Sequence, residues 1–169
     1  MCLHGLHLHH TAEDDLLWPL LLERCPPDAD LVNRMEAQHE QVEHLTGLLG
    51  PALDRWAAEA RPAVGEEVAS TLEGLAAVLL EHLDEEEREI LPLAQRHVTQ
   101  EEWSQLGEHG KGQVALRDLP LLFGSVLEEC DPAKRRMMLH VVPFPVRVLL
   151  RTLGARQYRC YVSRVRATG

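Results

Sequence analysis

The same frame of residues occurs twice in this chain. HHTAEDDLLWP, from His9 to Pro19, and HLDEEEREILP, from His82 to Pro92, each read H-x-x-x-E with a proline six residues after the glutamate. On a helix, residues four apart share a face, with Cβ atoms about 6 Å apart. His9 with Glu13, and His82 with Glu86, therefore form two imidazole and carboxylate pairs. If these positions are interior, a carboxylate among leucine and tryptophan carries a heavy desolvation cost unless it is paired or bound to a cation. The chain must then bring two helices together so that the inner groups of one frame meet those of the other.

The spacing alone is common. His39 to Glu43 and His97 to Glu101 repeat it without the proline, and a single such pair is ordinarily a solvated surface contact. Asp84, Glu85, Glu87 and Glu89 of the second run read as a solvated face. Two copies in one frame point instead to a cage of nitrogen and oxygen ligands. Mixed ligation of this kind suits iron or manganese, whereas structural zinc more often recruits thiolates. Cys2, Cys25, Cys130 and Cys160 have no close metal spacing and read as ordinary reduced thiols. Neutral imidazoles, with a reference pKa of about 6.5, are available as ligands near neutral pH.

The rest of the sequence places these frames on helices. Apolar residues recur at helical spacing from Leu6 to Glu23, with Pro19 as a kink, and CPPDAD stops that helix. Asp28 or Asp30 caps a second, from about Leu31, which Gly50 and Pro51 either end or kink. A third starts near Pro62 and runs towards His97. Thr99 and Glu102 form a capping box for a short helix ended by Gly110 and Gly112. Asp118 caps LPLLFGSVLEEC, Asp131 with Pro132 starts another helix, and Pro143 and Pro145 introduce a last amphipathic one. Aromatic residues are only 4% of the chain, and no segment alternates in the manner of a strand. The expectation is an all-α bundle over residues 1–97 with a helical C-terminal extension, 98–169, packed on it.

Charge is unevenly distributed. All 27 acidic residues lie at or before Asp131, while nine of the 17 basic ones follow it. A basic tail suits nucleic acid or anionic lipid, but this tail also has a core-like apolar pattern, so it is expected to pack on its own acidic bundle, with nucleic acid not a favoured partner. No apolar run reaches the roughly 20 residues that span a bilayer, and the opening MCLHGLHLHH has no signal-peptide pattern. A cytoplasmic protein with no membrane partner is expected.

The segments HHTAEDDLLWP, EAQHEQVEHL and HLDEEEREILP resemble the hemerythrin-like, HHE cation-binding family. LPLLFGSVLEE and LRTLGARQYRCYVSRVR extend the likeness, in particular to actinobacterial members. The resemblance implies a four-helix bundle holding a non-haem di-iron centre that binds O₂ or senses oxygen, nitric oxide or iron. It implies as metal ligands His9 and Glu13, His39, and His82 and Glu86, with His10, Glu43 and His44 as further ligands or their partners. The family also has a helix before HHTAED that supplies another histidine, and here only eight residues precede His9. A bundle lacking that first helix is therefore expected, with an exposed apolar seam favouring a homodimer. His4, His7, His97, His109 and His140 are its possible substitutes.

Two further classes stand beside gas binding. Oxygen-activating di-iron enzymes use Glu-x-x-His pairs on two helices, and this chain has one such match, Glu36 to His39. A metal-free helical module binding nucleic acid through Tyr158, Tyr161 and the tail arginines is the third.

Overall fold

The computed structural model describes residues 2–109, 119–141, 147 and 150–167. Among them every regular element is helical, and they divide into two compact units, Leu3–Lys111 and Met1–Cys2 with Gly112–Gly169. Gly110, Gly112, Asp118, Pro143 and Pro145, assigned above to helix ends and caps, lie outside the described residues.

The first unit is built from three long helical rods. The first joins α1 (Cys2–Ala12) through a π-turn (Glu13–Leu17) to α2 (Trp18–Arg24); the second is α3 (Ala29–Glu59). The third joins α4 (Pro62–Glu85) through a π-turn (Glu86–Ile90) to α5 (Leu91–His97), and α6 (Gln100–His109) closes the unit. The repeated frame thus has one local structure in both copies. A proline has no N–H to donate, and its ring collides with the carbonyl four residues back in a regular helix. Widening the preceding turn by one residue relieves this. Trp18 N–H accordingly reaches back to Glu13 O, and Leu91 N–H to Glu86 O, so each π-turn opens at the frame's glutamate and closes before its proline.

Some local signals act differently from expectation. α3 runs unbroken through Gly50 and Pro51, and Asp28 holds the N-cap position of α3 without a side-chain cap bond. The capping box does form: Glu102 Oε2 accepts from Thr99 N–H at 2.9 Å, and Glu102 N–H donates to Thr99 Oγ1 at 3.3 Å. Glu102 also takes a two-pronged contact from Arg24, 2.7 and 2.9 Å, which fastens α6 to the first rod.

Two apolar clusters fill the unit. Trp18, Leu21, Met35 and Ile90 lead one; Val42, Leu49, Val68 and Leu75 form the other. On every rod the frame residues or their neighbours fall between the two: His10 and Glu13 precede Leu17, His39 lies between Met35 and Val42, and His82 between Leu75 and Ile90. A polar layer is therefore sealed above and below by packed hydrocarbon.

In the second unit, α7 (Leu119–Glu129), α8 (Pro132–Val141) and α9 (Ala155–Arg166) follow one another, with a π-turn, Leu150–Gly154, before α9. Asp131 Oδ1 caps α8 by accepting from the N–H groups of Ala133 and Lys134 at 2.8 and 2.9 Å. α9 packs on α7, where the Tyr158 ring sits so close to Gly124 that a Cβ there would collide with it. Tyr158 and Arg166 both hydrogen-bond Glu128 of α7.

Candidate metal centre

Each rod sends one imidazole into the polar layer. His10, His39 and His82 are all buried, with exposures of 6%, 4% and 0%. The rings of His10 and His39 stack with centroids 3.9 Å apart, and His82 lies 4.8 Å from His39 and 5.1 Å from His10. Beside them a second group gathers His9, Glu13 and Glu86; in each group the ligand atoms lie within 4.8 Å of one another. Glu13 links the two, with Oε1 3.6 Å from His9 Nε2 and Oε2 3.6 Å from His39 Nε2. His82 Nε2 lies 4.0 Å from Glu86 Oε2.

The hydrogen bonds around the histidines fix which nitrogen faces inward. Asp14 Oδ1 accepts from Trp18 Nε1–H at 2.9 Å and from His39 Nδ1–H at 2.6 Å. From the second rod, Gln38 donates through Nε2 to Glu85 Oε2 of the third, so its Oε1 is left to accept from His82 Nδ1–H at 3.1 Å. Arg34 in turn holds Glu85 at 2.7 Å. With their protons on Nδ1, His39 and His82 turn bare Nε2 lone pairs into the layer.

Those atoms have no partner. His10 Nε2, His39 Nε2, His82 Nε2 and Glu13 Oε2 are all buried and unbonded. Four buried polar atoms converging without partners are costly, and a bound cation is a guest that nitrogen and carboxylate ligands of this kind satisfy together. Electrostatics agree. Burial and the neighbouring imidazoles hold His10 and His39 down to about 3, and His82 is lowered by burial first and then by His9. Burial, then Glu86, pushes the Glu13 carboxyl up to about 9. The imidazoles are thus neutral and ready to ligate, while Glu13 without a cation keeps its proton. The donor set of nitrogens and carboxylate oxygens, with no thiolate, fits iron or manganese chemistry.

All five residues singled out by the sequence and the resemblance, His9, Glu13, His39, His82 and Glu86, fall within these two groups. His10, ranked there only as a further candidate, sits deeper than His9, which is 51% exposed. Glu43 and His44 are exposed and belong to neither group. Glu85, read above as part of a solvated face, instead anchors Gln38. Asp14 and Gln38 were missed as partners of the histidines; each lies next in sequence to a group member, but neighbours on a helix point about 100° apart, so spacing gives no hint of them. Of the other histidines, His109 meets Asp15 at 3.3 Å and His7 lines a cleft described below.

No helix among the described residues is long and apolar enough to cross a membrane. The family model of the Hemerythrin HHE cation binding domain matches residues 2–94, more than half of the chain. No curated protein and no solved structure matches it.

Proposed function

Because this chain belongs to the hemerythrin HHE cation-binding family, we propose that its polar layer holds a non-haem di-iron centre that binds O₂ or nitric oxide. The observation that carries this reading is the set of four buried, partnerless polar atoms on three helical rods. His10, His39 and His82 would hold one ion, and His9, Glu13 and Glu86 the other, with Glu13 between them. Bound ferrous iron would supply coordination positions left open for a diatomic ligand. The protein's own part is to fix His39 and His82 through Asp14 and Gln38 and to pack hydrocarbon above and below the layer with the two apolar clusters.

Elemental analysis of protein from iron-supplemented cells is expected to give about two irons per chain, in keeping with paired carboxylate and histidine sites in helical bundles, and His82→Ala is expected to lose at least one of them. Protein without metal in both forms would overturn the reading. Reversible spectral change with O₂ or nitric oxide on the reduced protein tests the ligand. The alternative, an oxygen-activating enzyme, draws on the cleft beside His10 and His39, and substrate-dependent O₂ consumption would select it.

We also read the face of α4 bearing Leu72, Leu80 and Leu83 as a self-association surface. These leucines are 45%, 69% and 45% exposed and share one helical face. A homodimer is expected in sedimentation, weakened by Leu80→Glu; a strict monomer would remove this surface from the account.

A further inference from the structure

A cleft of about 320 Å³ opens between α1 and α3 and reaches His10 and His39. Its α3 side carries Glu36, Glu40 and Glu43, at spacings of four and three that place them on one helical face beside His39. His7 of α1 faces the same space. Glu40 and Glu43 are exposed and Glu36 is partly so, and among the described residues none of the three is in an ion pair. Three like charges in a concave wall repel one another, and they focus an attractive field for cations. At the inner end, the imidazoles of His10 and His39 are more than nine-tenths buried, and their Nε2 atoms have no partner. Carboxylates at the mouth, and unpartnered imidazole nitrogens buried behind the histidines that line its inner end, are the elements of a graded path for a divalent ion.

We propose that this cleft is the port through which a divalent cation reaches the three-histidine cluster, with Glu36, Glu40 and Glu43 as its outer capture station. The inference rests on the metal-binding reading above, and it concerns the route and rate of loading rather than the resting site. Capture at the mouth speeds entry without altering the ligands that finally hold the ion, so equilibrium affinity and loading rate separate.

The test mixes metal-free full-length protein with Co²⁺ in a stopped-flow instrument and follows the visible absorbance of bound cobalt. The triple variant Glu36→Gln, Glu40→Gln, Glu43→Gln is expected to load about tenfold more slowly at low salt, with unchanged final stoichiometry. The wild-type rate should fall steeply as ionic strength rises, and that of the variant much less. A second triple variant, Glu66→Gln, Glu73→Gln, Glu81→Gln, removes the same charge from exposed positions of α4 and should load at close to the wild-type rate. Equal slowing by both variants would assign the effect to net charge and overturn the port. So would unchanged loading in the first variant. Loss of bound cobalt at equilibrium in the first variant would overturn it as well, making the glutamates ligands of the resting site. Wild-type protein that takes up no cobalt would sink the metal reading itself, an outcome separate from normal uptake at an unaltered rate.

Discussion

Saturating the metal-free protein with ferrous iron under anaerobic conditions is expected to raise its melting temperature by roughly 15–30 °C. An ion present at a thousandfold excess over its dissociation constant stabilises the folded state by about 4 kcal/mol, and for a unit of this size each kcal/mol is worth roughly 4–8 °C. The effect is large because metal binding does more than add contacts: it gives partners to four buried polar atoms that otherwise have none. In His82→Ala the shift is expected to shrink to a few degrees. That substitution also empties a fully buried position, so the metal-free variant melts lower for reasons of packing alone. The informative quantity is therefore the difference between loaded and metal-free protein. A full shift in the variant would remove His82 from the site.

Without metal, stability is expected to peak near pH 6.5 and to fall on both sides. His10 and His39 are held at about 3 in the folded protein against 6.5 when unfolded. Between those values the unfolded chain binds protons that the folded one refuses, so stability is lost as pH falls below 6.5, by about 1.4 kcal/mol per pH unit for each imidazole. His82 shifts in the same direction. Glu13 acts oppositely. It stays protonated in the fold up to about 9 but ionises near 4.5 once unfolded, so its burial removes stability as pH rises from 4.5 to 9. From 4.5 to 6.5 the histidines outnumber it and stability climbs; above 6.5 only the carboxyl still differs, and stability drops by about 3 kcal/mol by pH 8.5. Asp14, also raised by burial, acts in the same sense as Glu13, from its ordinary value upward. Urea denaturation of chelator-treated protein between pH 5.5 and 8.5 measures the curve, and Trp18, Trp56 and Trp103 make fluorescence a reporter of the first unit alone. Glu13→Gln should flatten the alkaline side, and iron should do the same in the wild type, because a cation holds the carboxylate ionised without penalty. A stability that keeps rising above pH 7 in the metal-free protein would show that Glu13 is not desolvated as the fold places it.

Both predictions turn on residues whose chemistry is written in the chain but whose setting is not. The repeated frame was readable because a period of four and a fixed proline are properties of one strand of text. Helix existence was readable for the same reason, from apolar spacing and from caps such as Thr99 with Glu102 and Asp131 with its two acceptor bonds. The π-turns were not, since a pattern read at 3.6 residues per turn has no place for a helix that widens by one residue ahead of a proline. Nor could the sequence separate His9 from His10, or show that Glu85 leaves the solvated face to anchor Gln38.

By itself, then, the sequence determined the helical class, the family and the residue types able to ligate a cation, because periodicity and spacing are local and survive without any partner. Only the tertiary structure decided which imidazole of the His9 and His10 pair is the deeper, which nitrogen His39 and His82 offer, and which side chains steady those two. Those choices depend on how three rods are rotated about their axes, and that rotation is set by the joint burial of Trp18, Met35 and Ile90 on one side of the layer and Val42, Leu49 and Leu75 on the other.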